Sequence, residues 1–263
     1  MDVKSAFLNG PLDKEVYVFQ PPGFIAADDL LITGAEFGKI QAFKAQMQAE
    51  FEMTDLGELS YFLGIKFKRT KAGTLMHQRK YTTDVLQRFE MMNCNYVSTP
   101  IDAGTLLCKD GTEQVVDKTL YRQMVGSLRY ICNSRPDIAF GVGWISRFME
   151  SPKHSHLIAV KKLLRYLRGT LNYEIMYPAE LNKYDKDLHG FSDADWCGDK
   201  SDRKSTTGYL FFLGSAPISW CSKKQEVVAL SSCEAEYIAA SMSACQAAWL
   251  SALMAELKVE TEE

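Results

Sequence analysis

Apolar positions recur along this chain at two periods, and the change from one period to the other marks out its elements. Phe37, Ile40, Phe43, Met47 and Phe51 fall at steps of three and four, one stripe that predicts a helix from residue 36 onward. Residues 57–68 (GELSYFLGIKFK) are apolar and β-branched enough to predict a strand, with 75–78 as its hairpin partner. Tyr81, Val85, Leu86, Phe89 and Met92 mark a second helix that ends before a loop at 93–100, and residues 101–118 read as a linker. Three helices follow. The first carries Tyr121, Met124, Val125, Leu128 and Ile131. The second opens at Pro136, suited to a first helical turn, and uses Ile138, Val142, Ile145 and Met149. The third runs from about residue 153 to 168, with Gly169 as its expected C-cap. Strand-like pieces at 173–177 and 188–193 lead to two alternating, aromatic-rich runs joined by Gly214-Ser215, which predict a β-hairpin. A last helix opens within VVALSSCEAEYIAA.

Nearer the N-terminus, residues 2–8 read as a short strand broken by Asn9-Gly10-Pro11, and 15–20 alternate as a second strand. Asp28-Asp29 have apolar residues on both sides. An unpaired buried charge is too costly for both to lie inside one strand, so they belong at a tight turn between two.

Composition narrows the class without naming it. The 263 residues are 46% apolar and 24% charged, as in an ordinary globular chain long enough for a sizeable core. No apolar run approaches the roughly 20 residues of a membrane span, and the N-terminus has no signal pattern. Seven scattered cysteines with no Cys-x-x-Cys pair predict a reduced, intracellular setting without a disulfide framework or zinc site. His154 and His156 have no cysteine or carboxylate near them in sequence to complete such a site.

The net charge of −3 excludes a chain that is basic throughout, yet the charge is uneven. Residues 66–88 carry seven Lys/Arg against Asp84, and residues 152–170 carry five Lys/Arg with no acid. In the helix at 153–168, Leu157, Val160, Leu164 and Leu167 form one face, while Lys161, Lys162, Arg165 and Arg168 form the neighbouring arc. Two readings fit these basic stretches: solvated helix faces, or surfaces that hold a polyanion through its phosphates.

The carboxylates of residues 190–240 carry the candidate chemistry. Asp193 and Asp195 are two apart, so on a continuing strand they share a face, and beside Phe191 and Trp196 that arrangement is expensive without a cation or water. Glu234 has a structural explanation in the capping box Ser231-x-x-Glu234. Glu236 has none: it lies about 200° further round the helix, among Tyr237, Ile238, Ala239 and Ala240. Asp193 and Glu236 are therefore the candidate metal-binding pair.

These residues also carry a resemblance. GFSDADWCGDKSDRKSTTGY and SKKQEVVALSSCEAEYIAA resemble the opening of the ribonuclease H domain of copia-type retrotransposon Pol proteins. FEMTDLGELSYFLGIKF, HQRKYTTDVLQRF, STPID, YRQMVGSLRYICNSRPDIAFGV and LRYLRGT resemble the end of the reverse transcriptase and the connecting region of that family, and MDVKSAFLNG resembles its first palm strand. The resemblance implies an α+β fold in three parts. These are a reverse-transcriptase palm/thumb remnant at 1–100, a helical connection at 101–187, and an incomplete ribonuclease H-like domain at 188–263, built as a three-stranded antiparallel meander plus a helix.

By the same resemblance Asp2 and Asp28, with Asp29 beside them, would hold the two Mg2+ ions of nucleotidyl transfer. Asp193 and Glu236 match the first two acids of the ribonuclease H site. The implied partners are RNA, DNA or an RNA–DNA hybrid, with no membrane. The chain also departs from the pattern. Ala26-Ala27 stand where the family has Tyr-Val, the block between the two palm motifs is absent between Gly23 and Asp28, and the chain ends at Glu263 before the strand with the third ribonuclease H aspartate. Asp199, Asp202 and Glu226 match no family ligand. The expectation is a Pol fragment defective in catalysis; the alternatives are a non-catalytic nucleic-acid-binding protein or a translated relic of a transposon.

Overall fold

Each predicted stripe must find a partner face, and the computed structural model gives these partners for residues 32, 37–51, 54–55, 57–102, 107–108, 113–179 and 187–257. The expected strands at 2–8 and 15–20 and the turn at Asp28-Asp29 lie outside the described residues. The fold is α+β. It divides into two compact units, one holding residues up to Leu56 together with Ala252–Glu260, the other holding Gly57–Ser251.

In the first unit the predicted helix is α1, Phe37–Glu50, with Lys44 paired to Asp55 at 2.9 Å. Its apolar stripe is not a core stripe: no residue of α1 is buried, and Phe37 is 75% exposed.

The second unit opens with a four-stranded antiparallel sheet, β1 (Tyr61–Phe62), β2 (Ile65–Thr70), β3 (Gly73–His77) and β4 (Ile175–Pro178), in that order. The single strand expected at 57–68 is thus two strands. Leu63 (φ 45°) and Gly64 (φ 76°) turn the chain back on itself, and the Tyr130 hydroxyl donates to the Leu63 carbonyl to hold that turn. The hairpin of β2 with β3 stands as expected, pairing Phe67 with Met76 and Lys68 with Leu75.

Helices α2 (Arg79–Arg88), α3 (Lys118–Ile131), α4 (Ala139–Ile145) and α5 (His154–Gly169) follow the predicted stripes. Their apolar faces meet in one core in which Leu86, Tyr121, Val125, Leu128, Ile131, Ile138, Ile145, Val160, Leu163, Leu164 and Leu167 are fully buried. Burying a hydroxyl requires a partner, and Tyr121 donates to the Ile145 carbonyl at 2.8 Å. Asp117 caps α3 by accepting from the Thr119 and Leu120 amides. The second predicted helix is shorter than its stripe, because single turns of 3-10 helix at Pro136–Ile138 and Ser146–Phe148 bracket α4. Gly169 is not the C-cap of α5. Thr170 is, at φ −122°, and Gly169 is small because a Cβ there would lie 3.0 Å from the Cβ of Tyr96.

A second sheet closes the unit: β5 (Leu188–Ala194), β6 (Thr206–Leu213) and β7 (Ala216–Lys224), antiparallel, with β6 in the middle and the predicted turn at Gly214 (φ 58°). Among the described residues β5 has a neighbour on one side only. Helix α6 (Ser232–Glu256) is bound to this sheet through Gln225 to the Ala235 carbonyl (2.9 Å) and Gln246 to Ser219 (3.1 Å). The helical core is bound to it through the Trp220 indole, which donates to the Cys132 carbonyl at 2.9 Å. By length and composition α6, at mean hydropathy 1.3 in its most apolar window, meets the measure of a membrane-crossing helix, a measure that the core helix of a globular protein also meets. All seven cysteines are free thiols.

Candidate functional site

The end of β5 and the first turns of α6 carry the two candidate acids. β5 carries Asp193 opposite Gly208, and the Asp195 amide still donates to Thr206 of β6 at 3.2 Å. Backbone groups alternate sides along a strand, so the Ala194 amide points away from β6, to the open edge. Glu236, about one turn into α6, accepts from that amide with Oε1 at 3.3 Å. Glu236 thus reaches the backbone of the residue next to Asp193, and both acids are on exposed residues. Asp193 also opens on a groove of about 550 Å3 whose lining includes Phe140, Phe191, Tyr209, Trp220 and Ser222.

Asp195 does not share this role. The strand ends at Ala194, and the Asp195 carboxylate turns inward to accept from the Thr206 amide, against Gly198, where a Cβ would overlap it. Glu234 behaves as a cap, with a variation: its amide donates to the Ser231 hydroxyl oxygen at 3.1 Å, while its carboxylate accepts from the Leu230 amide at 2.6 Å rather than from the Ser231 amide of a standard box. Among the described residues no group of three His, Cys, Asp or Glu converges on a point that could hold a metal ion. Asp2, Asp28 and Asp29 lie outside those residues.

Sequence reasoning missed Asp199, set in a polar loop with no pattern to mark it. Its side chain is 4% exposed and accepts from Lys224 (2.5 Å), Arg147 (3.3 Å) and the Ser201 amide (2.9 Å), while Lys224 also reaches Asp202 at 2.7 Å. Burial works to raise its carboxyl, but Lys224, the Ser201 amide and Arg147 outweigh it and hold the group below the ordinary carboxylate value. Arg147 also donates to Thr206 at 2.7 Å, so this ion cluster joins the 3-10 turn after α4 to β6 and β7.

Three of the four basic residues on α5 are engaged on protein. Lys162 pairs with Asp102, the Arg165 Nε donates to the Asn95 carbonyl (2.7 Å), and the Arg168 Nε donates to the Met92 carbonyl (3.2 Å), with its guanidinium 6.0 Å from the Tyr96 ring. Lys161 is exposed. The arc therefore fixes the 92–102 segment onto the helix. His154 and His156 form no pair of ligands: His156 is fully buried, stacked on Phe148 at 3.8 Å, accepting at Nδ1 from the Lys153 amide and sharing Nε2 with the Cys108 carbonyl.

The basic stretch at 66–88 divides by strand alternation. Lys66 and Lys68 stand exposed on one face of β2, and Arg69 stands on the other, paired with Glu58 at 3.2 Å. Arg79 pairs with Glu174 at 2.8 Å, and His77 lies 3.8 Å from the same carboxylate. Burial lowers the His77 imidazole; Glu174 works to raise it, and Arg79, Lys66 and Lys68 work to lower it further.

A model of the family described as reverse transcriptase (RNA-dependent DNA polymerase) matches residues 25–103. The chain is 40% identical over 259 residues to the retrovirus-related Pol polyprotein from transposon RE1 of Arabidopsis thaliana, covering 96% of this chain and 17% of that one. It is 36% identical over 311 residues to the Pol polyprotein from transposon TNT 1-94 of Nicotiana tabacum, covering 91% and 23%. An uncharacterised mitochondrial protein of Arabidopsis thaliana is 36% identical over 213 residues, covering 81% of this chain and 87% of its own. No solved structure matches the chain significantly. The chain belongs to the copia-type retrotransposon Pol family. It spans about a fifth of the length of the Pol relatives it matches.

Proposed function

We propose that this chain is a nucleic-acid-handling segment of a Pol protein. In this reading residues up to 100 derive from reverse-transcriptase palm and thumb, 101–187 form the connection, and 188–263 belong to a ribonuclease H-like domain. The observation that carries it is the Glu236 carboxylate seated on the Ala194 amide beside Asp193, a strand acid and a helix acid at one sheet edge. Asp193 and Glu236 would be the metal-binding acids, and their hard oxygen donors suit Mg2+. Asp2, Asp28 and Asp29 would be the polymerase acids. RNA–DNA hybrid is the substrate class, in an intracellular setting.

Two carboxylates are an incomplete donor set, and one of them is also held by a backbone amide, so the chain on its own holds the ion weakly. Catalysis that depends on paired metals falls by orders of magnitude when part of their coordination is missing. Purified chain supplied with Mg2+ and a labelled RNA–DNA hybrid is expected to cleave at no more than a trace rate, and to extend no primer. Efficient cleavage that disappears in Asp193→Asn would overturn the defective-enzyme reading.

A second reading, a binding protein without catalysis, is favoured by the exposed lysines of the two basic stretches, Lys66 and Lys68 on β2 and Lys161 on α5. It differs from the first in predicting salt-dependent nucleic-acid binding that Asp193→Asn leaves unchanged.

A further inference from the structure

We infer that Gln225 is a positioning residue for the acid pair: its side-chain amide spans from β6 to the first turn of α6 and sets where Glu236 stands over the end of β5. This deepens the reading of Asp193 and Glu236 above and rests on it.

The span is made where β7 ends. One step past the last residue of β7, the Gln225 backbone amide donates to the Ser205 carbonyl at 2.8 Å, and the side chain turns inward, 3% exposed. There Nε2 uses both of its protons, one on the Thr207 hydroxyl oxygen at 3.0 Å and one on the Ala235 carbonyl at 2.9 Å. Neither partner is incidental. Thr207 lies directly opposite Ala194 in the β5–β6 register, and Ala235 immediately precedes Glu236. Glu236 in turn accepts from the Ala194 amide. Gln225 thus ties the strand partner of one end of that contact to the chain neighbour of the other. Thr207 and Ala235 are both fully buried, so the two anchors have little room to shift.

Two features separate alignment from mere packing. Ala235 stands in the first turn of α6, where its carbonyl already belongs to the helix's own ladder, so the bond from Gln225 caps nothing. Among the described residues, moreover, no partner reaches the buried Gln225 Oε1. An unpaired buried acceptor is unfavourable, and an unbranched apolar side chain of similar length would fill the space without that cost. What it could not do is fix the spacing of β6 and α6 through two directed hydrogen bonds. Two carboxylates share a cation only when each is held to within about 0.5 Å of its place, and that is what such a bond pair supplies. A second tie between α6 and the sheet, Gln246 to Ser219 at 3.1 Å, lies about 15 Å further along the helix than Glu236.

The test follows the backbone amide signals of the whole chain by NMR, first through hydrogen–deuterium exchange and then through line broadening by added Mn2+, which carboxylates bind as they do Mg2+. Gln225→Met, close in size, is expected to speed exchange at Ala194 about fivefold relative to Ser192 on the same strand. It is also expected to weaken the Mn2+ effect around Asp193 about tenfold or more. Gln246→Ala removes the other helix–sheet bond and is expected to leave both readouts as in wild type. Melting temperatures check that each variant folds. If Gln225→Met does not, Gln225→Asn, one methylene too short to reach both partners, is judged by the same criterion. A folded Gln225 variant with unchanged exchange at Ala194 overturns the positioning role. Equal release of Ala194 by Gln246→Ala overturns it too, since any loosening of α6 would then suffice. The acid pair is tested separately. Mn2+ broadening around Asp193 that persists in Asp193→Asn, or is absent from wild type, sinks the metal reading, while exchange at Ala194 still decides on Gln225.

Discussion

Arg135→Ala is expected to be the most damaging single substitution in the described part of the chain, costing on the order of 3–5 kcal/mol in a thermal or urea melt. The guanidinium is almost wholly buried and reaches both oxygens of Asp137 (2.9 and 2.7 Å), the Thr170 carbonyl (3.0 Å) and the Thr170 hydroxyl (2.6 Å). It lies 5.6 Å from the Tyr166 ring centre and 5.2 Å from that of Tyr173. It therefore joins the chain before α4 to the C-terminus of α5. Burial works to raise the Asp137 carboxyl, and the Arg135 hydrogen bond and charge, with the Tyr166 hydroxyl, outweigh it and hold the group low. Without Arg135 that carboxylate would be left with Tyr166 at 2.8 Å, and the Thr170 oxygens would lose their donor. Arg135→Lys should recover only part of the loss, because a point charge cannot reproduce the two-pronged contact with Asp137.

Asp199→Ala is expected to cost about 3 kcal/mol, a fall in melting temperature of roughly 6–12 °C for a chain of this size. Arg147 and Lys224 would lose their shared acceptor while remaining mostly covered, at 12% and 21% exposure. The pH dependence has a definite sign. The folded carboxyl lies below its unfolded value of about 3.9, so its contribution is complete above about pH 4 and is lost as pH falls through the folded value. The gap in stability between wild type and Asp199→Ala should accordingly be widest near neutrality and close in acid. A gap that persisted unchanged below pH 3 would mean that the substitution acts by leaving a void rather than by removing a charge.

Much of the fold is legible in the sequence, because helix stripes and strand alternation report burial on one side. The stripes of α2, α3 and α5 became a core, and the hairpin around Gly214 formed where two alternating runs met a glycine. The misreadings share a cause. The break at Leu63 depends on a backbone conformation that its side chain does nothing to advertise, within a run that is apolar throughout. The stripe on α1 has the right period yet buries nothing, since periodicity describes a face and not what covers it.

The site divides in the same way. The cap role of Glu234 was legible because Ser231-x-x-Glu234 is a local pattern, whereas the Ala194 amide that Glu236 accepts from lies 42 residues away. On α5 the acceptors for Arg165 and Arg168 are backbone carbonyls at Asn95 and Met92, which any residue supplies and no sequence pattern marks. Asp199 gave no signal because its partners stand 52 residues before it and 25 after.

Among the described residues β5 pairs on one side only, which has a kinetic consequence. The amides of Phe191 and Asp193 turn toward β6, whereas those of Gly190 and Ser192 turn toward the open edge. Adjacent residues of one strand should therefore exchange their amide protons with deuterium at alternating rates, slow at Phe191 and Asp193, fast at Gly190 and Ser192, and slowed at Ala194 by Glu236. That alternation makes the strand its own reporter. Anything that settles along the edge, beside the two carboxylates, would slow Gly190 and Ser192 and leave their neighbours as they were.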